Sequence, residues 1–284
     1  MSVAATGERT QPGGVRKRAV VAAVIGNFIE WYDFTLYGYL AVVIAPLFFP
    51  AENRLVSLMA TFAVFGVAFV MRPIGALVFG NIGDRIGRRN TLAAIILITS
   101  GATFFIGLVP SYESIGILAP LLLVLARVVQ GFAVGGEYGG ATSFIVEYAP
   151  EDKRGLYGSW QFVTQGASLM VGLLIVTFLT TVLSEEALFS WAWRLPFLLA
   201  LPLGLIGLYM RLKLEDTPAF AAVREHHEVE GTPLRESLRH HGKDVLKVIG
   251  LTWLLTGLTY LLVFMPTYLS EELGVPLSSA YTAV

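Results

Sequence analysis

GNIGDRIGRR, residues 80–89, joins two apolar runs, roughly 55–80 and 91–109. Each run can cross a bilayer as a helix, which takes about 20 apolar residues. The spacing Gly80-x-x-x-Asp84-Arg85-x-Gly87-Arg88-Arg89 combines glycines that permit a tight turn with arginines that can hold helix ends by charge and dipole. A plain basic turn between spans would need the arginines, but neither Asp84 nor the glycines.

Further apolar runs lie on both sides of this link. The spans read as 19–48, 55–80, 91–109, 114–146, 158–183, 191–211 and 245–269, with an eighth just beginning at the end. Of 284 residues, 55% are hydrophobic and 14% charged, and the mean hydropathy is +0.67. A soluble domain needs a more charged surface, so the chain reads as an all-α polytopic membrane protein. The first run carries two acids and ends in no small-residue cleavage site, so it reads as an uncleaved span. The absence of cysteine excludes disulfides, thiol catalysis and cysteine-bound metals. A net charge of −1 implies no nucleic-acid partner.

Arg16, Lys17, Arg18, Arg85, Arg88, Arg89, Lys153, Arg154, Arg211 and Lys213 fall on one side of the spans. The positive-inside rule makes that side, and the N-terminus, cytoplasmic. The layout divides into a tail at 1–18, a six-helix bundle at 19–211, a polar loop at 212–244, and 245–284 as the start of a second set that is cut off. It looks like part of a six-plus-six design. Of the four histidines in the loop, His226-His227 and His240-His241, neither pair has metal-ligand spacing.

RVVQGFAVGGEYGG, residues 127–140, places Gly131, Gly135 and Gly139 every four positions, which lets two helix backbones approach closely. Arg127 and Glu137 lie within this span, where charges pair or face a cavity. GNIGDRIGRR resembles the signature loop of the major facilitator superfamily. The resemblance implies a conformational latch at Gly80, Asp84, Arg85, Gly87, Arg88 and Arg89. Arg127-x-x-Gln130-Gly131 resembles that superfamily's fourth-helix motif, associated with proton-coupled transport. With GNFIEWYDFTLYG (26–38), EYAPEDKRGLYGSWQ (147–161) and EDTPAF (215–220), the chain is similar to the metabolite:proton symporters, in their proline/betaine transporter branch. The resemblance implies alternating access between two six-helix halves with the site near midplane.

Glu30 and Asp33 are three residues apart on the first span, within about 60° of each other around the helix. Asn27 and Tyr37 share that side. Counted from residue 19, the acids sit roughly 16–21 Å along the helix, and Arg127 in span four reaches a similar depth. An ion pair between spans one and four is therefore expected, with Arg72 and Glu137 as a second pair nearer the cytoplasm. Motion that separates an acid from its arginine would let it take a proton; return would release it. Gln161 and Gln165, one turn apart in span five, could line the same cavity. Trp31, Tyr32, Tyr37 and Trp160 offer faces for a quaternary ammonium.

The expected function is secondary active symport of protons with a small polar metabolite, an osmolyte such as proline or betaine, across a bacterial inner membrane. Its energy source would be the proton gradient, with no cofactor and no metal. Carboxylate symport (citrate, α-ketoglutarate, shikimate) and a non-transporting fragment or sensor are the alternatives. A homo-oligomer or a complementing fragment could supply further helices. No nucleophile set or metal spacing in the spans supports an enzyme.

Overall fold

The computed structural model describes residues 13–213 and 233–284. Among them all regular structure is helical. α1 (Gly13–Tyr39) and α2 (Ala41–Phe48) form one broken span, bent by 65°. α3 (Arg54–Ile86), α4 (Arg88–Leu108), α6 (Leu118–Tyr148), α7 (Arg154–Val182), α9 (Arg194–Leu212) and α10 (Pro233–Glu271) are the long helices. α5 (Tyr112–Ile115), α8 (Glu185–Ala187) and α11 (Leu277–Thr282) are short. Among the described residues six helices are long and apolar enough to cross a membrane, or seven with the bent pair as one.

Two boundaries differ from the sequence reading. α1 already includes residues 13–18, assigned to the tail, and α10 starts at Pro233, inside the expected loop. A helix keeps its hydrogen-bond ladder beyond its apolar stretch, so hydropathy alone underestimates its length. Residues 1–12, EDTPAF and His226-His227 lie outside the described residues, while His240-His241 belong to the α10 backbone.

The break in the first span sits at Leu40, whose φ of −88° and ψ of 9° lie in the sparsely allowed bridge region. Val43 N–H donates to Leu40 O at 2.9 Å rather than to Tyr39 O. The Tyr39 carbonyl thus freed accepts the Tyr281 hydroxyl of α11. The Gly-rich link of the opening decapeptide is a single residue. Gly87, at φ +100° and ψ 142°, ends α3 and begins α4, a conformation confined in practice to glycine. Its N–H bonds to Gly83 O at 3.0 Å, and its carbonyl accepts the Thr91 hydroxyl at 3.0 Å.

α1 runs through the middle, in contact with α4, α6, α7, α9 and α10. α3 packs on α6 with backbone against backbone: a Cβ at Gly131 would strike the Ala68 main chain, and one at Gly135 the Arg72 carbonyl. Between membrane helices the driving force is this packing, since lipid is as apolar as leucine. α4 packs on α9, where Arg194 donates to the carbonyls of Gly107 at 2.9 Å and Val109 at 2.7 Å. A guanidinium there satisfies orphan carbonyls at a helix C-terminus and opposes the dipole. Arg89 at the start of α4 does the same for Leu212 O at the end of α9. The outer faces of α3, α7 and α10 expose large apolar side chains, among them Leu77, Phe178 and Trp253, as lipid-facing surfaces must.

Gly131→Val or Gly135→Val forces α3 from α6 and is expected to cost about 1–3 kcal/mol or more. Gly66→Ala, whose Cβ enters open space, is expected to leave stability unchanged or improve it. Thermal unfolding of the purified variants in detergent checks both. Equal midpoints for all three would contradict the packing account.

Candidate functional site

α1 carries three polar groups inward at i, i+3 and i+6, namely Asn27, Glu30 and Asp33, all buried. Spacing of three keeps them within one broad face of the helix, and the neighbours on that face differ at each level.

At the level of Asp33 the Thr103 hydroxyl (α4), the Gln130 amide and the Arg127 guanidinium (α6) lie around the carboxyl. Arg127 Nη1 donates to Gln130 Oε1 at 2.6 Å, and Gln130 Nε2 donates to Thr103 Oγ1 at 2.6 Å. The Arg127 guanidinium carbon stands 3.7 Å from the centre of the Tyr37 ring. That ring is fixed by the Tyr37 hydroxyl, which donates to Thr61 O at 3.1 Å. A desolvated cation over an aromatic face is worth about 2 kcal/mol or more. Asp33 and Arg127 thus share a pocket with Thr103 and Gln130, but the ion pair expected between spans one and four does not close: among the described residues Arg127 bonds to Gln130, and neither Asp33 oxygen has a hydrogen-bond partner.

At the level of Glu30 the partner comes from α3. Arg72 Nη2 lies 4.0 Å from Glu30 Oε1. Its guanidinium carbon also sits 4.5 Å from the Phe69 ring centre and 5.5 Å from that of Phe34. Tyr260 of α10 closes over this group, with ring centres 5.2 Å from Phe69 and 5.5 Å from Phe34.

One step further along, Glu137 (α6) is bonded to Arg211 (α9), both nearly inaccessible. The pairing expected from depth, Arg72 with Glu137, does not form. Arg72 takes Glu30, and Glu137 takes Arg211, which the sequence reading had counted only among the basic groups of the cytoplasmic side. Gly26 of α1 lies directly against this pair: a Cβ there would strike Arg211 and Glu137.

The remaining candidates separate. Asn27 Nδ2 donates to Gln161 O at 2.9 Å and to Thr164 Oγ1 at 2.7 Å, which ties α1 to α7. The Gln161 side-chain oxygen accepts from Thr142 at 2.9 Å, whereas Gln165 turns to Thr259 of α10 at 3.5 Å. Trp31 and Tyr37 are buried in the bundle, and Tyr32 donates to Pro196 O at 3.1 Å. Trp160 is 47% exposed. In the decapeptide Gly80 and Arg85 are exposed, and the side chains of Asp84 and Arg88, like the surroundings of Gly139, lie outside the described residues.

The family model for "sugar (and other) transporter" proteins matches residues 19–251. The chain belongs to this family. As a sugar (and other) transporter family member it is 47% identical over 274 residues to the glycine betaine/proline/ectoine/pipecolic acid transporter OusA of Dickeya dadantii, covering 92% of the chain and 54% of that protein. It is 44% identical over 271 residues to the proline/betaine transporter of Salmonella typhimurium, again covering 92% of the chain and 54% of the relative. The chain therefore spans about half the length of the curated relatives it matches. The partially occluded, inward-open structure of the xylose transporter XylE from E. coli superposes with a TM-score of 0.76 at 18% identity, covering 95% of this chain and 67% of that one. The fold is that of the major facilitator superfamily, in a multi-pass membrane protein.

Within that fold Arg211, Thr103 and Tyr260 complete the site without having been singled out in the sequence. Arg211 had a usable signal: it falls at the edge of an apolar span. A hydroxyl such as Thr103 carries none. Removing one partner of a buried pair leaves an unpaired charge, at a cost of about 3–5 kcal/mol. Arg211→Met is expected to lose stability on that scale, and Glu137→Leu with Arg211→Met to recover most of it. Unfolding midpoints of the single and double variants check this; a double variant no better than the single would contradict the pairing.

Proposed function

We propose that this chain forms the first half, and the start of the second, of a secondary transporter that carries a small zwitterionic osmolyte with protons by alternating access. The observation that carries this reading is the stack of inward-facing acids on α1 and α6 with arginines contributed by α3, α6 and α9. Intramembrane ionisable groups are costly and mark ion or substrate paths by default. Because acid and base come from different helices, relative helix motion changes each pairing. An acid parted from its guanidinium takes up a proton in a low-dielectric site, and one brought back gives it up.

The substrate class follows from chemistry and from the relatives' names. Proline and betaine join a carboxylate to a cationic nitrogen. The Phe34, Phe65, Phe69 and Tyr260 rings, gathered beside Glu30 and Arg72, suit a quaternary ammonium, while Arg72 or Arg127 can receive a carboxylate. Tyr260 belongs to α10, so the second half contributes to the same pocket. We take the end carrying Arg85 and Arg89 as cytoplasmic by the positive-inside rule, in a bacterial inner membrane. The decapeptide turn then acts as a latch on the cytoplasmic side.

Liposomes containing the chain, with an acid-outside gradient, test the proposal. Radiolabelled betaine and proline form one pool; citrate, α-ketoglutarate and shikimate form the other. Uptake of the first pool alone, collapsed by a protonophore, is expected. Asp33→Asn is expected to abolish gradient-driven uptake and keep substrate exchange. Uptake of the second pool only, or full gradient response in Asp33→Asn, would overturn the reading.

A further inference from the structure

A cavity of about 10 Å³ lies where α1, α4 and α6 meet, lined by Glu30, Thr99 and Glu137 and by the apolar Ile29, Ile95 and Val134. One water molecule needs about 10–15 Å³ of such space together with two to four polar partners. The partners are there. Both Glu30 carboxyl oxygens, Glu137 Oε2 and Thr99 Oγ1 are buried and find no hydrogen-bond partner within the protein. Thr99 differs in this from its neighbours on α4. Ser100 donates to Ile96 O at 2.6 Å and Thr103 to Thr99 O at 3.0 Å, each back along its own helix. Thr99 makes no such bond, and it lines the cavity together with the two glutamates. Buried polar atoms left unpaired are costly, so a polar occupant is favoured over an empty gap. Arg72 and Arg211 already balance the two acids, which favours a neutral occupant over a metal cation.

We infer that this cavity holds one bridging water, which passes a proton between Glu30 and Glu137. The inference rests on the proton-coupled reading above. In the transfer the Glu30 O–H bond breaks and its proton moves to the water oxygen. The water gives another of its protons to the Glu137 carboxylate, and the water is regenerated. The charged and titratable groups facing Glu30 are Arg72 from α3, Glu137 from α6, Arg211 from α9, Tyr260 from α10, and Asp33 on its own helix. Glu137 in turn is held by Arg211, next to Leu212, whose carbonyl is bonded to Arg89. The relay therefore leads from the middle of the bundle toward the end that carries the decapeptide turn. Glu137 becomes a second proton station there rather than a structural anchor alone.

Time-resolved infrared spectroscopy of the 284-residue chain in nanodiscs after a pH jump tests this, with carboxyl bands assigned by Glu30→Gln and Glu137→Gln. Proton loss from Glu30 is expected to slow by roughly 100-fold in Thr99→Val and in Glu137→Gln, and to stay near wild type in Thr99→Ser. A high-resolution structure of the unmodified chain is expected to show one water within hydrogen-bond distance of all three side chains. Unchanged rates in both variants, or an apolar gap with no water, would overturn the relay and leave the proton-coupled reading standing. A Glu30 carboxyl that never changes protonation would likewise overturn the relay, whereas the proton-coupled reading itself falls only if Asp33→Asn keeps its full gradient response.

Discussion

Three carboxylates sit in a low-dielectric bundle, and each must be met by positive charge or lose its ionised form. The desolvation of each ion costs several kcal/mol even after relaxation. That requirement orders the helices. Asp33 and Glu30 on α1 need Arg127 from α6 and Arg72 from α3, and Glu137 on α6 needs Arg211 from α9. α1 therefore has to be central, with α3, α6 and α9 within side-chain reach. The glycines do the complementary work. Gly131 and Gly135 bring α3 and α6 to backbone contact, which places Arg72 and Arg127 at neighbouring levels. A bulkier interface would widen that spacing and strand at least one acid.

Much of this was legible in the chain. Every expected span in the first half has a helix at nearly the expected place, because about 20 apolar residues can do little else in a bilayer. The Gly87 turn was legible because glycine is the residue that tolerates its dihedrals. What could not be read was which helices are neighbours. Depth along the helix put Arg72 level with Glu137, but a ladder of depths has no azimuth, and only the packed bundle shows Arg72 turned to Glu30. Arg211 was read only as a cytoplasmic-side cation because a charge at the end of an apolar run usually snorkels to water. Here Gly26 leaves space for it to turn inward. The bend at Leu40 was also hidden, since no proline stands at the break and Pro46 lies beyond it.

The seventh long helix ties these observations to mechanism. α10 exposes most of its surface, and Leu246, Leu251 and Trp253 are all open. Several of its contacts with the first half fall at the site. Tyr260 stacks into the Phe34 and Phe69 group, Val263 fits the notch of Gly38, and Gln165 reaches Thr259. Arg54 of α3 is bonded to Glu271 at its far end at 2.6 Å. A movement of α10 over α1 would thus change the surroundings of Glu30 and Arg72 directly. Under the proposed function, alternating access would work through that coupling of helix position to acid pairing.

The most direct measurement is the number of protons exchanged when substrate binds. Betaine added to the purified chain in weakly buffered detergent solution, followed with a pH-indicator dye, reports it without a membrane gradient. The account predicts that binding shifts the bulk pH and that Asp33→Asn reduces the shift. Saturable betaine binding with no proton exchange would contradict it.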